Sequence, residues 1–175
     1  VDPAYWDPDI ADISAYQKAD LIVLNGAAYA KWVGKVSLPP SKIVDTSRHY
    51  KDRYITTQKT MTHSHGAAGE HAHEALAFTT WLDFELAARQ AQAIAAAMGR
   101  KRLDLRDTFR KNFEALAKDL NKLDRDIQAI VSNKPSLPMI VSHPVYDYFA
   151  RRYRLNISSV HWEPDQVPSD EQWRA

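Results

Sequence analysis

The stretch DLRDTFRKNFEALAKDLNKLDRDIQAIV, residues 104–131, decides the fold prediction because its apolar side chains recur every three or four positions. That spacing is the period of an amphipathic α-helix with one apolar face. The stretch contains neither proline nor glycine, so nothing in it interrupts a helix. The apolar positions are Leu105, Phe109, Phe113, Leu116, Leu120, Leu123, Ile127 and Ile130. At 1.5 Å per residue such a helix is about 42 Å long, which exceeds the diameter of a small domain. We therefore predict one continuous helix that links two lobes.

Short apolar runs before this helix predict the strands of a parallel sheet. LIVLN (21–25) and KIVD (42–45) are the two predicted strands, and AAYAKWVGK (27–35) between them predicts a short helix. A strand, a helix and a second strand in succession are typical of an α/β domain. The alanine-rich segment 82–98 predicts a further helix, with Gly99 as its C-terminal cap.

The same order of elements resumes after the long helix. MIVSH (139–143) predicts a third strand, and LNISSVHW (155–162) predicts a fourth. Between them PVYDYFARRY (144–153) predicts a helix with Pro144 in its first turn, where proline is tolerated. The predicted fold class is therefore α/β, with two lobes of parallel sheets and flanking helices joined by one long helix, the second lobe being incomplete.

The predicted divisions follow from this order. We assign residues 1–103 to an N-terminal α/β lobe that lacks its first strands, 104–132 to the linking helix, and 133–175 to the start of a C-terminal lobe. The chain enters on a proline-punctuated acidic loop and stops at SDEQWRA, which resembles the first turn of an unfinished helix. We therefore expect the sequence to be a piece of something longer.

Composition excludes several classes of protein. The 175 residues carry 23 Lys and Arg against 22 Asp and Glu, so the chain lacks the basic field that nucleic acid binding requires. Cysteine is absent, which excludes thiolate metal sites and disulfides. No apolar run approaches the roughly 20 residues of a membrane span, and the N-terminus does not resemble a signal peptide. We expect neither nucleic acid binding nor direct membrane insertion.

Four of the seven histidines lie in THSHGAAGEHAH, residues 62–73, within a polar segment without periodicity. We interpret residues 58–75 as a long surface loop that is mobile without metal. Imidazole nitrogens bind zinc, copper and nickel, and two His-x-His pairs on one loop can turn toward a single ion. The candidate ligands are His63, His65, His71 and His73. The alternative is a solvated loop, or a tag-like artefact, that happens to be rich in histidine.

Two further histidines follow predicted strands. His143 ends MIVSH and His161 ends LNISSVH, so both imidazoles are expected at the carboxyl edge of a parallel sheet, where ligands bind in open α/β folds. The alternative for each is a hydrogen-bonded structural histidine. The sequence has no phosphate-binding loop, nucleophile elbow or HExxH motif, and a hydrolase with His143 as the base is the least favoured function. We predict that the chain is not an enzyme.

Several stretches together resemble the periplasmic substrate-binding proteins of zinc/manganese ABC transporters. They are DPAYWDPDIADISAYQKADLIVLNGAAYAKW (2–32), the His-rich loop, TTWLDFELAARQAQAI (79–94) and IVSHPVYDYFARRYRLNI (140–157). The resemblance implies two α/β lobes joined by one rigid helix. It also implies an extracytoplasmic protein that carries zinc, or alternatively manganese, as cargo to an ABC permease.

The family's metal sites resemble three histidines and one carboxylate at the lobe interface. By the resemblance, the first two histidine positions are Ala4 and Thr79 here, and only the third, His143, carries an imidazole. The carboxylate belongs to a part of the family that this chain does not contain. Two interpretations follow: the protein has rebuilt its site from His143 with His161, the loop histidines or acidic groups, or it has kept the scaffold and no longer binds the cargo. The first, a non-standard zinc site, is our leading expectation. The runner-up function is an adhesin or scaffold protein that uses the same fold for protein contacts.

Overall fold

The computed structural model describes Ala4 and residues 6–57, 75–134 and 136–160, together with Val167, Ser169, Asp170 and Trp173. The predicted mobility of residues 58–74 lies outside the described residues. The same is true of five candidate ligands, His63, His65, His71, His73 and His161.

The first part of the fold is a helix followed by two parallel strands. Helix α1 (Ile10–Lys18) begins at a capping box, in which the side chains of Asp9 and Asp12 each accept a hydrogen bond from the other's backbone N–H. Strands β1 (Ile22–Leu24) and β2 (Ile43–Asp45) pair in parallel, as predicted. The short helix predicted between them is present as a 3-10 turn, Lys31–Lys35, and a second 3-10 turn, Pro40–Lys42, leads into β2.

That turn, Lys31–Lys35, places an aromatic side chain in the first core cluster. Trp32 packs with Ile22 and Leu38, and all three are buried. The rings of Trp6 and Trp32 meet edge to face at 5.7 Å between centroids. A single large aromatic ring thus covers one end of the strand pair without a full helix.

Helix α2 (Phe84–Lys101) confirms the alanine-rich helix, but the prediction that Gly99 ends it is wrong. Gly99 is buried in the last turn of α2, where an added Cβ would stand 3.3 Å from the Cγ atom of Arg106. The absence of a side chain lets the start of helix α3 (Arg106–Val131) approach α2 closely after the 3-10 turn Leu103–Leu105. Glycine is used here for helix packing rather than for capping.

Helix α3 confirms the continuous long helix to within two residues at its start. It packs along α2. Its apolar stripe is only partly covered, however, because no described residue of α3 is fully buried. Leu116, Leu123 and Ile130, spaced seven residues apart, remain 48%, 43% and 73% exposed.

The second parallel pair follows α3, as predicted. Strands β5 (Pro138–Val141) and β6 (Asn156–Ser159) pair in parallel, and helix α4 (Asp147–Tyr153) connects them. The prediction that Pro144 lies in the first turn of this helix is wrong, because Pro144 precedes α4 by three residues and lies in a turn. A short loop therefore separates β5 from α4, and His143 is on that loop.

Two short strands flank the predicted loop 58–75, and the second of them includes its last residue, Ala75. Strand β3 (Thr56–Thr57) pairs in antiparallel fashion with β4 (Ala75–Leu76), and the N–H of Ala77 donates to the carbonyl of Ile55 at 2.9 Å. The aperiodic sequence gave no sign of this pairing, because a ladder of two residues is too short to show a period.

These elements confirm the α/β fold class, with two parallel strand pairs separated along the chain by α2 and α3. The division into lobes at 104–132 stays a prediction. Tyr148 of α4 lies in the same buried cluster as Tyr50 and Leu86, so α4 packs against the earlier part of the chain. None of the helices in the described part is both long and apolar enough to cross a bilayer.

Candidate metal-binding region

A buried polar network closes the carboxyl edge of the first strand pair. The Nε2 atom of Gln90 on α2 donates to the side-chain oxygen of Asn25 at 2.9 Å and to Oγ1 of Thr46 at 3.0 Å. The Nδ2 atom of Asn25 donates to the carbonyl of Phe78 at 3.1 Å. This network holds the segment around Phe78 against the edge where β1 and β2 end.

The segment that carries Thr79 also contacts the loop that carries His143. The Thr79 hydroxyl, on a residue only 6% exposed, donates to the carbonyl of Val145 at 2.6 Å. The N–H of Val145 in turn donates to the carbonyl of His143 at 2.9 Å. Two of the positions that the resemblance assigns to metal ligands are therefore neighbours in space.

Only His143 among these positions offers a metal donor. Zinc in proteins is bound by imidazole, thiolate and carboxylate groups. Neither the buried methyl group of Ala4 nor the neutral hydroxyl of Thr79, which donates to Val145, is such a ligand. His143 is half-buried, and no side chain in the described residues hydrogen-bonds to its imidazole. The described residues contain no group of three or more His, Asp or Glu that could hold a metal ion.

The base of the His-rich segment lies beside the same region. The N–H of Ile55, at the start of the β3–β4 ladder, donates to the hydroxyl of Tyr148 on α4 at 3.2 Å. Tyr148 is fully buried and lies five residues after His143. Leu76, which pairs with Thr56 at the same end of the ladder, lies three residues before Thr79. Both ends of the segment are therefore fixed close to the Thr79 and His143 loops.

An ion-pair network ties these segments together. Its members are Arg53, Arg89 and Arg152 with Asp83, Glu85 and Asp124. Arg152 on α4 donates twice to Asp124 on α3, at 2.6 and 2.9 Å, and once to Glu85 at 3.0 Å. Arg53 donates to Asp83 at 3.0 Å and to Glu85 at 2.8 Å. Bidentate guanidinium pairs of this kind fix orientation as well as distance.

The sequence analysis missed this network. Arg53 and Asp83 are 30 residues apart, Arg152 and Asp124 are 28 apart, and Arg152 and Glu85 are 67 apart. Charge pairs at such separations produce no local pattern, whereas pairs within one helix recur at three or four residues. Only the folded chain brings them together.

Asp124 gives the network a defined pH dependence. The hydrogen bond from Arg152, and in addition the one from Tyr153, lower the pKa of the Asp124 carboxyl below its usual range. A pKa that is lower in the folded state stabilises the fold above the unfolded-state pKa of about 3.9. That stabilisation is lost as the pH falls through the folded-state pKa.

We therefore predict that Asp124→Asn lowers the free energy of unfolding at pH 7. The deficit should shrink as the pH falls below about 4, where the carboxyl of the unfolded parent takes up a proton while that of the folded parent is still ionised. Urea unfolding from pH 7 to pH 3 measures this. Asp119→Asn, on the same helix but exposed, is the matched control and should change stability little at any pH. A deficit for Asp124→Asn that stays constant with pH would contradict the prediction.

The sequence of the chain matches one known protein family along its whole length. The whole chain, residues 1–175, matches the family model described as zinc-uptake complex component A, periplasmic (ZnuA). The chain belongs to the ZnuA family.

Curated relatives of this ZnuA-family chain include two streptococcal proteins. The metal ABC transporter substrate-binding lipoprotein SsaB of Streptococcus sanguinis is 26% identical, over 96% of this chain and 56% of its own length. ScbA of Streptococcus cristatus, which has the same description, is 25% identical over 95% of this chain and 56% of its own length. The chain thus spans about half the length of these relatives. Their descriptions are those of transport components, which supports the prediction that the chain is not an enzyme.

Solved structures give the same fold. A crystal structure of ZnuA superposes with a TM-score of 0.73 at 25% identity, covering 99% of this chain and 64% of that one. The metal-dependent lipoprotein YcdH from Bacillus subtilis superposes with a TM-score of 0.77 at 23% identity, covering 99% and 61%. The second similarity concerns the fold alone. The resemblance and the α/β fold class are therefore confirmed.

Proposed function

We propose that this chain is a metal-binding component of a zinc-uptake ABC transporter, which holds Zn²⁺ as cargo outside the cytoplasm and passes it to the permease. Membership of the ZnuA family supports the transport role. Zinc is preferred over manganese because every candidate donor is an imidazole nitrogen, whereas manganese suits carboxylate and carbonyl oxygens.

We infer that the metal site is non-standard and combines His143 with histidines of the loop. The observation that carries this inference is the hydrogen bond from Thr79 to Val145, which joins the Thr79 and His143 segments. At that junction His143 alone offers an imidazole, and tight zinc sites need about four donors. Further donors are therefore needed, and the loop histidines are the candidates that this sequence offers.

Chain length allows the loop histidines to supply them. His73 precedes Ala75 of β4 by two residues and His71 precedes it by four, so their backbones can lie within roughly 7 and 14 Å of that strand. His63 and His65 follow Thr57 of β3 by six and eight residues, or roughly 20 to 28 Å of extended chain. Since the ladder contacts α4 through Tyr148, these spans are long enough to reach His143. His161 is a further candidate donor.

We expect that replacing His63, His65, His71 and His73 together by alanine abolishes most zinc binding, and that His143→Ala alone weakens it less. The loop offers four of the six candidate imidazoles, whereas His143 offers one. Isothermal titration of zinc into chelator-treated protein measures both effects. Binding by the parent should also fall as the pH drops through about 6.5, because neutral imidazole is the ligand.

The matched control is His49→Ala, which removes an exposed histidine that follows β2 and is not a candidate ligand. It should leave the affinity unchanged. A quadruple variant that binds zinc as tightly as the parent, together with a His143→Ala protein that does not bind, would place the site at His143 and overturn the assignment to the loop. A parent protein that binds no zinc would overturn the proposed function itself.

The adhesin or scaffold alternative has a parallel at the level of the fold alone. The laminin-binding adhesin Lmb of Streptococcus agalactiae superposes with a TM-score of 0.70, but at 21% identity. No contact among the described residues favours this function over metal transport, so it remains the runner-up. The same zinc titration separates the two, because an adhesin role does not require metal uptake by the parent.

A further inference from the structure

A cleft whose lining contains no residue of the His143 loop carries a separate inference, which does not rest on zinc binding. The cleft has a volume of about 440 Å³ and lies between β2, the segment after it, and one face of α2. All three residues of β2 line it, together with Arg48, Arg89 and Arg100. It thus combines a strand with three cationic side chains.

The face of α2 that lines the cleft carries arginine and alanine side chains at regular helical spacing. Arg89, Ala93, Ala96 and Arg100 line the cleft at intervals of four, three and four residues, which places them in one stripe along the helix. Two alanines leave room at the middle of the stripe, and one arginine lies at each end. At 1.5 Å per residue the two arginines are about 16 Å apart along the helix axis.

The charge of the cleft is unbalanced. Asp45 is its one lining carboxylate, and its Oδ1 atom already accepts hydrogen bonds from the backbone N–H and the hydroxyl of Ser47. Arg89 pairs with Glu85, but its side chain remains 49% exposed. Arg48 and Arg100 are exposed and form no ion pair with a carboxylate in the described part of the chain. Since the whole chain has a net charge of only +1, this concentration of cations is local.

The strand that lines the cleft also has a free edge. Within the described residues β2 pairs with β1 alone, and the N–H of Ile43 donates to the carbonyl of Pro40. The remaining backbone groups of the outer edge, those of Asp45 above all, can pair with an added strand. An extended peptide that pairs with such an edge gains backbone hydrogen bonds, and its alternate side chains face the groove. The strand residues Ile43 and Val44 supply an apolar surface for the remaining side chains.

We propose that this cleft binds an extended acidic segment of a partner protein, added alongside β2 with its carboxylates toward Arg48, Arg89 and Arg100. A small anion fits less well, because the cations are distributed along about 16 Å instead of converging on one point. Five residues of extended chain span the same length, since a strand rises about 3.3 Å per residue.

The test uses a fluorescently labelled six-residue peptide that alternates glutamate and valine, with a glutamine–valine peptide as its uncharged counterpart. Fluorescence anisotropy should show saturable binding of the acidic peptide alone, and the affinity should fall when the salt is raised from 50 to 300 mM. In the protein, Arg48→Gln with Arg100→Gln should weaken binding about five- to ten-fold, as expected when two exposed ion pairs are lost.

The control variant is Lys111→Gln with Lys118→Gln, which removes two exposed cations from α3, outside the cleft. It changes the net charge equally and should alter the affinity less than two-fold. The proposal is overturned if neither peptide binds, if both double variants bind equally well, or if inorganic phosphate at matched ionic strength displaces the peptide stoichiometrically, which would indicate a small-anion site. Dimerisation that the Arg48/Arg100 variant abolishes would assign the cleft to a second copy of the chain and also overturn it.

Discussion

Replacing Asp83 by alanine should lower the free energy of unfolding by about 3 kcal/mol. Asp83 is 1% exposed and has two structural roles. Its Oδ1 atom caps α2 by accepting from the backbone N–H groups of Glu85 and Leu86, and its Oδ2 atom pairs with Arg53 at 3.0 Å. Alanine removes both interactions and leaves the Arg53 guanidinium with Glu85 as its remaining carboxylate partner.

Urea unfolding at pH 7 measures the loss of stability. Two further variants separate the contribution of helix capping from that of the charge, and a buried ion pair from an exposed one. Asp83→Asn keeps a side-chain oxygen that can cap α2 but removes the charge, so its effect should be intermediate. Asp104→Ala breaks a pair between Asp104 and Arg102, whose side chains are both exposed, so it should lower the free energy of unfolding far less than Asp83→Ala does. Equal losses for Asp83→Ala and Asp104→Ala would show that burial of Asp83 is energetically irrelevant.

Replacing Gly26 by alanine should destabilise the chain by about 2 to 5 kcal/mol, since strain and overlap add. Gly26 follows β1 with φ +81°, a left-handed conformation that residues with a Cβ adopt at a cost. The added Cβ would also overlap the hydroxyl of Ser47 and the carboxylate of Asp45. Those groups hydrogen-bond to each other, and Ser47 is fully buried, so neither can move aside freely.

The matched control is Gly34→Ala in the same connection between β1 and β2. An added Cβ at Gly34 meets no atom within 4 Å, so this change should be neutral or slightly stabilising through the lower entropy of the unfolded chain. Thermal unfolding followed by circular dichroism compares the two variants. If the Gly26→Ala protein unfolds at the same temperature as the parent, the turn after β1 rearranges without a loss of stability, and the prediction is wrong.

The strands and long helices were predictable because each has a local cause. The apolar period of residues 104–131 gave α3 to within two residues, and short apolar runs gave β1, β2, β5 and β6. The errors fall where a tertiary contact overrides a local rule. Gly99 has the sequence signature of a cap, but it is buried within α2 against Arg106. Pro144 was predicted to begin a helix that starts three residues later.

The candidate site also has features with a local sequence pattern, which were predictable, and features without one, which were not. The place of His143 after a strand was predictable, because a histidine that ends an apolar run lies near the end of that strand. Its role as a metal ligand stays a prediction. The hydrogen bond between Thr79 and Val145 could not be found, because it joins residues 66 apart and neither has a distinctive pattern. The loop histidines and His161 stay predictions, to be tested by zinc titration.

The order of helices and strands and the ZnuA-family resemblance could be inferred from the sequence, because each depends on residue types at fixed positions along the chain. The same holds for what the resemblance implies, that Ala4 and Thr79 stand where related proteins have imidazoles. The tertiary structure alone decided which distant segments meet. The ladder at the base of the His-rich segment, the loop with His143, and the network centred on Arg152 and Asp124 come together only on folding. The physical reason is that ion pairs and buried hydrogen bonds depend on distance in space, which separation along the chain does not encode.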